Sequence, residues 1–215
     1  MLIGEMSVLS IPPTHRVFLV RHGRTPLNAE GRLRGHLNPA LDEVGRSEIL
    51  ALAAVLAGQH VVKIVTSPLL RALQTAEAVA GATGAPTAAN AALVDRNWGE
   101  WSGQPEATVA ERWGSVDRAP GVESVASVRR RSRTVLDAQV PLLDEGNVVI
   151  ITHDAVLRVL LDDLGVPLPD DANRLPTGSW SLLSRGRRHW SVELVGERPT
   201  PRPCIDKLQL EGDRS

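Results

Sequence analysis

The apolar positions of the chain follow two rhythms. Runs of β-branched and large aliphatic residues fall at about 16–20, at Val61–Thr66 and at Asn147–Thr152, the pattern of strands buried on both faces. Between them apolar residues recur at helical spacing. Val44, Ile49, Leu52, Val55 and Leu56 predict a helix over 42–57, with Asp42 or Glu43 suited to its start and Gly58 to its stop. Ser67 as N-cap and Pro68 at the first helical position predict a helix carrying Leu69, Leu70, Leu73, Ala76, Val79 and Ala80, closing near Gly81 or Gly84. Ala155, Val156, Val159, Leu160 and Leu164 predict another over 154–164.

The other segments are less regular. A short extended piece around 86–94 leads to an irregular stretch over 95–103, then a helix near 105–113 and a long, Arg-studded helix over 122–140. Two runs, 179–184 and 189–195, flank Arg185-Gly186-Arg187-Arg188 and read as a hairpin. The polar segment 23–40 is too long to be a mere connector, and structureless loops of that length tend to be functional. Strand–helix alternation predicts an α/β fold: a three-layer α/β/α sandwich with a mostly parallel central sheet. One domain over 16–196 is expected, preceded by an arm over 1–15 that ends in Pro12-Pro13 and followed by a Pro-rich tail over 197–215.

Composition narrows the function. Of 215 residues 42% are hydrophobic and 23% charged, as in ordinary globular domains. The formal net charge of −1 provides no global field to recruit nucleic acid or an anionic membrane, so any affinity for phosphate must be local. A single cysteine, Cys204, excludes an intrachain disulfide framework. With a poor signal-peptide pattern at the N-terminus and no apolar stretch near ~20 residues, the expectation is a cytoplasmic protein with neither membrane nor nucleic acid as partner.

The candidate chemistry lies where the three strands end. The first ends in Arg21-His22, the second in Ser67-Pro68-Leu69-Leu70-Arg71, the third in Thr152-His153-Asp154. Side by side and parallel, they would place two arginines and two histidines on the carboxyl edge of the sheet, where ligands bind open α/β folds. The following helices aim their N-termini at the same edge, which favours an anion. Guanidinium forks match phosphate oxygens. An imidazole among arginines is kept neutral and nucleophilic near pH 7 and can attack phosphorus. The leaving alkoxide then needs a proton, for which Asp95, Glu100, Glu123 and Asp154 are candidates. No residue cluster has metal-ligand spacing, and no cofactor is expected.

Arg21-His22-Gly23-Arg24-Thr25 with Asn28, the run Ser67 to Ala76, Leu93 to Gly103, Pro120 to Ser124, and Thr152-His153-Asp154-Ala155-Val156 stand in an order that resembles the histidine phosphatase superfamily, the phosphoglycerate-mutase-like proteins. The resemblance covers roughly 16–195. It implies that His22 accepts the phosphoryl group, that Arg21, Arg71 and His153 grip it, and that Asn28 adds a donor from the loop, with Arg24 beside it on the substrate side. Where the family usually has glutamate this chain has Asp95, one methylene shorter. One branch of the family uses an aspartate after the second histidine, here Asp154. Asp95 is favoured as proton donor, with Asp154 as the rival donor or a substrate-binding residue.

Three functions are weighed. The first is a metal-independent phosphatase acting on a small phosphorylated metabolite through phosphohistidine. The second is a mutase, disfavoured because only residues 104–121 separate the acid-bearing segment from the next helix, where family mutases carry a longer insertion. The third is a non-catalytic phospho-ligand module, motivated by the shortened acid. Trp98 and Trp101 are expected to pack beneath the site loop, and Glu123 to start a helix. Arg129, Arg130, Arg131 and Arg133 are expected to form a solvated face. His15, His60 and His189 are expected at the surface or in structural roles, and His36 is a weak candidate for substrate contact. The C-terminal hairpin offers an edge through which a homodimer could pair; the oligomeric state is left open.

Overall fold

The structure, a computed structural model, describes residues 16–168, 175–187 and 189–199. The expected arm with His15, most of the expected tail, and Cys204 lie outside them. Strand β1 (Arg16–Arg21) is followed by the four-residue helix α1 (Pro26–Ala29) and by α2 (Glu43–Leu56). Next come β2 (Val61–Thr66), α3 (Leu70–Thr83), the short β3 (Thr87–Ala89), α4 (Glu106–Trp113) and α5 (Val125–Asp137). Strand β4 (Asn147–Thr152), helix α6 (Asp154–Asp163) and the hairpin β5 (Trp180–Arg185) and β6 (Trp190–Glu197) complete the order. The six strands of the described residues form one sheet in the order β3-β2-β4-β1-β5-β6. The first four are parallel and the hairpin adds two antiparallel strands, so the sheet is mostly parallel as expected.

Alternation along the strands fills both faces. Val17 and Leu19 of β1 join Val148 and Ile150 of β4 in the core beneath α5 and α6. Phe18, Val20, Val149 and Ile151 point the other way, into the core beneath α2 and α3. Burial on both faces is why these strands read as nearly continuous apolar runs. Truncating fully buried Ile150 to alanine would cost about 2–5 kcal/mol. A third cluster, Leu33, Trp98, Val109 and Ala119 with Trp101 and Trp113 against it, lies under the loops of the site. The two tryptophans read as packing residues are therefore in packing positions.

Several boundaries differ from the sequence expectation, each for a local reason. Ser67 does not cap α3: its N–H still donates to the Ile151 carbonyl at 2.9 Å, which continues the ladder of β2 with β4. The helix begins at Leu70 with Leu69 as N-cap and ends at Gly84, whose φ of 71° suits glycine. The Arg-studded helix is shorter than 122–140. Ser124 caps it, accepting from Ser127 N, and past its end the chain tightens into a 3₁₀ turn over Val140–Asp144 with proline in its first turn. Of the extended piece 86–94 only Thr87–Ala89 is strand; Asn90 then caps a 3₁₀ turn, Ala91–Leu93.

The polar segment 23–40 contains a structure of its own. Thr25 and Asn28 form a reciprocal capping box around α1, with Pro26 at its first turn. Gly23 is set by close approach: a Cβ there would stand 2.7 Å from the Gly45 carbonyl oxygen, and one on Gly45 2.0 Å from that of Arg24. The first turn of α2 is thereby pressed against the backbone that follows His22.

Candidate active site

Strand register assembles the site. Arg21 pairs with Thr152 across β1 and β4, and Thr66 with Ile151 across β2 and β4. One residue beyond the strand ends, the rings of His22 and His153 lie with centroids 5.0 Å apart. His153 Nε2 is 2.8 Å from Ser67 Oγ, so the serine just past β2 is engaged by the site rather than by the helix cap. Arg71, in the first turn of α3, donates from Nε to His22 Nε2 at 3.2 Å. Its Nη2 donates to Asp95 Oδ2 at 3.2 Å and to the Gly35 carbonyl at 3.0 Å, and its Nη1 to the Leu37 carbonyl at 2.8 Å. Arg21, His22, Arg71, Asp95 and His153 are all at most 4% exposed. The residues expected to converge from three strand ends do so.

The geometry fixes which nitrogen of His22 can react. Its Nδ1 lies 2.7 Å from the Gly23 carbonyl, which can only accept, so Nδ1 carries the proton. Nε2 therefore keeps its lone pair, and the Arg71 Nε–H points at it. Both imidazoles are held well below the usual histidine range. Burial is the largest cause for each, followed by the positive charge of Arg71. Burial also lowers the Arg71 guanidinium to about 10 against the opposing pull of Asp95, and lowers that of Arg21 against Asp154. Three buried nitrogens near this centre have no partner among the described residues: Arg21 Nε, Arg34 Nε and His153 Nδ1. Buried polar atoms are rarely left unpaired, and such a set is what an anionic ligand would satisfy.

Next to this cluster is a cavity of about 330 Å³ that shares Arg21 with it. Its lining includes Arg24, Asn28, Arg34, Glu106, Thr177 and Arg198. Asn28 Oδ1 accepts from Thr25, so what it can offer a ligand is its amide hydrogens. Arg24 Nε is on Asp42 at 2.9 Å. Asp154 is not part of this lining. It is buried at the start of α6, where Oδ1 accepts from Leu175 N at 3.1 Å and stands 3.5 Å from Arg21 Nη1. Asp95 is the carboxylate placed against Arg71, and its charge acts on both Arg71 and Arg21. Glu100 is exposed.

Other residues have roles the sequence pattern hid. Arg131 does not belong to a solvated face. It donates to the carbonyls of Ala92, Val94 and Asp95 and to both carboxylate oxygens of Glu123, so it clamps the acid-bearing segment. Burial alone would raise the Glu123 carboxyl, but hydrogen bonds from Arg131, Asn97 N and Ser127 hold it below the usual range. Glu123 thus stands just before the helix cap, as part of this clamp. His36 Nε2 lies 3.1 Å from the Asp95 carbonyl and so braces the same segment. Arg129 and Arg133 pair outward with Asp162, Asp163 and Asp137. Arg34 is the other residue not singled out: a buried arginine in a polar loop, with no periodic signal to mark it.

Among the described residues no helix is long and apolar enough to cross a membrane, and no group of three or more His, Cys, Asp or Glu side chains is placed to hold a metal ion.

The chain is 30% identical over 198 residues to a glucosyl-3-phosphoglycerate phosphatase of Mycolicibacterium vanbaalenii, covering 84% of each. It is 30% identical over 216 residues to a probable phosphoglycerate mutase of Yersinia enterocolitica, covering 90% of this chain and 99% of that one. The solved structure of a mycobacterial glucosyl-3-phosphoglycerate phosphatase in complex with VO3 superposes with a TM-score of 0.74 at 27% identity, covering 84% of this chain and 98% of that one. The chain spans only 43% of the length of the mycobacterial proteins it matches at 33% identity. The sequence model of the histidine phosphatase superfamily, branch 1, matches residues 17–198, and the chain belongs to that family.

Proposed function

We propose that the protein is a phosphatase that hydrolyses a small phosphomonoester through a phosphohistidine at His22. The observation that carries this is the fixed lone pair of His22 Nε2, buried beside the Arg71 Nε–H at 3.2 Å. In the first step Nε2 attacks phosphorus and the bond from phosphorus to the ester oxygen breaks. Asp95, in its acid form, gives the leaving alkoxide its proton. Arg21, Arg71 and His153 stabilise charge on the phosphoryl oxygens as they reorganise, a contribution typically of about 10²–10³ in rate per donor. In the second step water attacks phosphorus, Asp95 takes its proton, and the phosphorus–nitrogen bond breaks to release inorganic phosphate and neutral His22.

Hydrolysis is favoured over isomerisation by what fills residues 104–121. This short interval forms α4 and one 3₁₀ turn, whose Val109 and Val116 pack into the cluster of Leu33 and Trp98. It is a floor for the loops rather than a cover that would hold water out. Since relatives include both phosphatase and mutase, the test must separate the two. A phosphate-release screen over sugar phosphates, phosphoglycerates and nucleotides, with glucosyl-3-phosphoglycerate as first substrate and His22→Ala as blank, should show release with the native protein only. Equal release from the blank would refute the reading. Rapid isomerisation of 3-phosphoglycerate with a bisphosphoglycerate primer, without phosphate release, would assign a mutase instead.

A further inference from the structure

The two histidines of the site make opposite demands on their surroundings. His22 gives its Nδ1 proton to the Gly23 carbonyl and keeps a lone pair on Nε2. The ring of His153 has one hydrogen-bond partner among the described residues, Ser67 Oγ at 2.8 Å from Nε2, and its buried Nδ1 has none. His153 stands at the N-cap of α6, but its side chain makes no cap bond. The N-cap of α3 is Leu69 and not Ser67. The contact between the serine and the histidine therefore serves neither helix end.

Counting protons fixes its direction. Ser67 is fully buried, and its Oγ has two hydrogen-bond neighbours among the described residues, Leu69 N at 3.3 Å and His153 Nε2. Leu69 N can only donate, so it occupies a lone pair of the hydroxyl. The hydroxyl hydrogen is then left with His153 Nε2 as its acceptor. With the hydrogen placed there, Nδ1–H alone lacks a partner. With the imidazole proton on Nε2 instead, the serine hydrogen and the Nδ1 lone pair would both be left over, one buried unsatisfied group more. Burial, and after it the charge of Arg71, keeps the ring neutral, so it carries one proton and not two. Ser67 is itself held in place, its N–H donating to the Ile151 carbonyl at 2.9 Å in the register that sets β2 beside β4.

We propose that the Ser67 hydroxyl donates to His153 Nε2, fixes the imidazole proton on Nδ1, and so makes Nδ1–H a donor to the phosphoryl group that His22 receives. A neutral ring can stabilise a phosphoryl oxygen only from the nitrogen that carries hydrogen. The two histidines then share one tautomer and use opposite ends of it, a lone pair at His22 and an N–H at His153. Ser67 is a positioning residue, acting on the ester only through His153. The inference rests on the phosphatase reading for the group that His153 receives.

Nuclear magnetic resonance of the histidine-labelled native protein reads the tautomer without turnover. Long-range proton–nitrogen spectra, with the His153 signals identified by their loss in His153→Ala, should place the proton on Nδ1. Inorganic phosphate should move that Nδ1–H resonance and leave the tautomer unchanged. In Ser67→Ala the fraction of the Nδ1–H form should fall to about half or below, and phosphate should bind about tenfold more weakly. In the His153→Ala background the same serine substitution should change phosphate binding by less than about twofold, since the residue through which it acts is gone. A proton on Nε2 in the native protein, an Nδ1–H that ignores phosphate, or equal weakening by Ser67→Ala in both backgrounds would overturn the inference. Turnover is read separately: Ser67→Ala should lower kcat about tenfold on alkyl and p-nitrophenyl phosphates alike, because the phosphoryl oxygens and not the leaving group are served. A loss confined to alkyl esters would contradict that role. Absence of phosphate release from the native protein, with the tautomer and its phosphate response as expected, would remove the phosphatase and leave Ser67 and His153 as an anion-binding pair.

Discussion

Asp95 and Asp154 are both buried and both stand beside an arginine of the site, yet they are held in different ways. Asp95 Oδ2 accepts from Arg71 Nη2, and its Oδ1 accepts from the neighbouring Arg96 N at 2.9 Å. Its backbone is gripped from outside by Arg131 and His36. Asp154 is the first residue of α6, and its Oδ1 ties down Leu175 N, which leads into the cavity wall at Leu175, Pro176 and Thr177. One carboxylate is presented to the guanidinium that touches His22; the other fastens the chain segment behind Arg21. A buried carboxylate close to a site can thus serve to fasten the chain.

The comparison is broken most sharply by exchanging each acid for its amide and varying the leaving group. Asp95→Asn should lower kcat on alkyl phosphates by about 10²–10⁴ and act far less on p-nitrophenyl phosphate, whose leaving group hardly needs a proton. Asp154→Asn should instead affect both esters alike, mainly through KM, and lower stability by about 1–3 kcal/mol because buried Arg21 loses the charge facing it and Leu175 N keeps only a neutral amide oxygen as acceptor. Selective loss on alkyl esters from Asp154→Asn would reverse the two roles.

A smaller effect should follow from loosening Asp95 without touching it. Arg131→Met removes donors to three carbonyls of the acid-bearing segment and to Glu123. Alkyl phosphate turnover should fall roughly tenfold, in the same leaving-group-dependent direction as Asp95→Asn. A uniform loss on both esters would mean that Arg131 serves stability alone.

The smallest effect tests what both regions enclose. His22 and His153 stay neutral in the fold, well below the usual histidine range, whereas in the unfolded chain they would ionise near ~6.5. Below that pH the unfolded state binds more protons, so stability falls as pH falls. Above it these two groups contribute no slope. Each histidine adds at most about 1.4 kcal/mol per pH unit. Urea midpoints at pH 7 and pH 5 should therefore drop less in His153→Gln than in the native protein, and equal drops would contradict the buried neutral pair.

Much of this was legible in the residues because strand ends obey register. The runs Val17–Val20 and Asn147–Thr152 announce doubly covered strands, and once they are parallel neighbours His22 and His153 must adjoin. What was not legible depends on contacts between distant loops. Ser67 carries an N-cap signature, but the ladder to Ile151 and the ring of His153 take the serine away from the helix. Arg131 looks like its neighbours Arg129 and Arg130 in sequence. Only the packing of α5 against the turn at Ala91–Leu93 distinguishes it. Arg34 stands out among the loop arginines by being buried with no carboxylate paired to it among the described residues, a fact no local pattern encodes.

The central claim is that His22 carries the phosphoryl group. Rapid quenching of the native protein with a radiolabelled phosphomonoester found in the release screen should trap a phosphoenzyme that is labile in acid and stable in base, and that is missing in His22→Ala. A label that persists in the His22→Ala protein, or native turnover with no such intermediate under burst conditions, would contradict it.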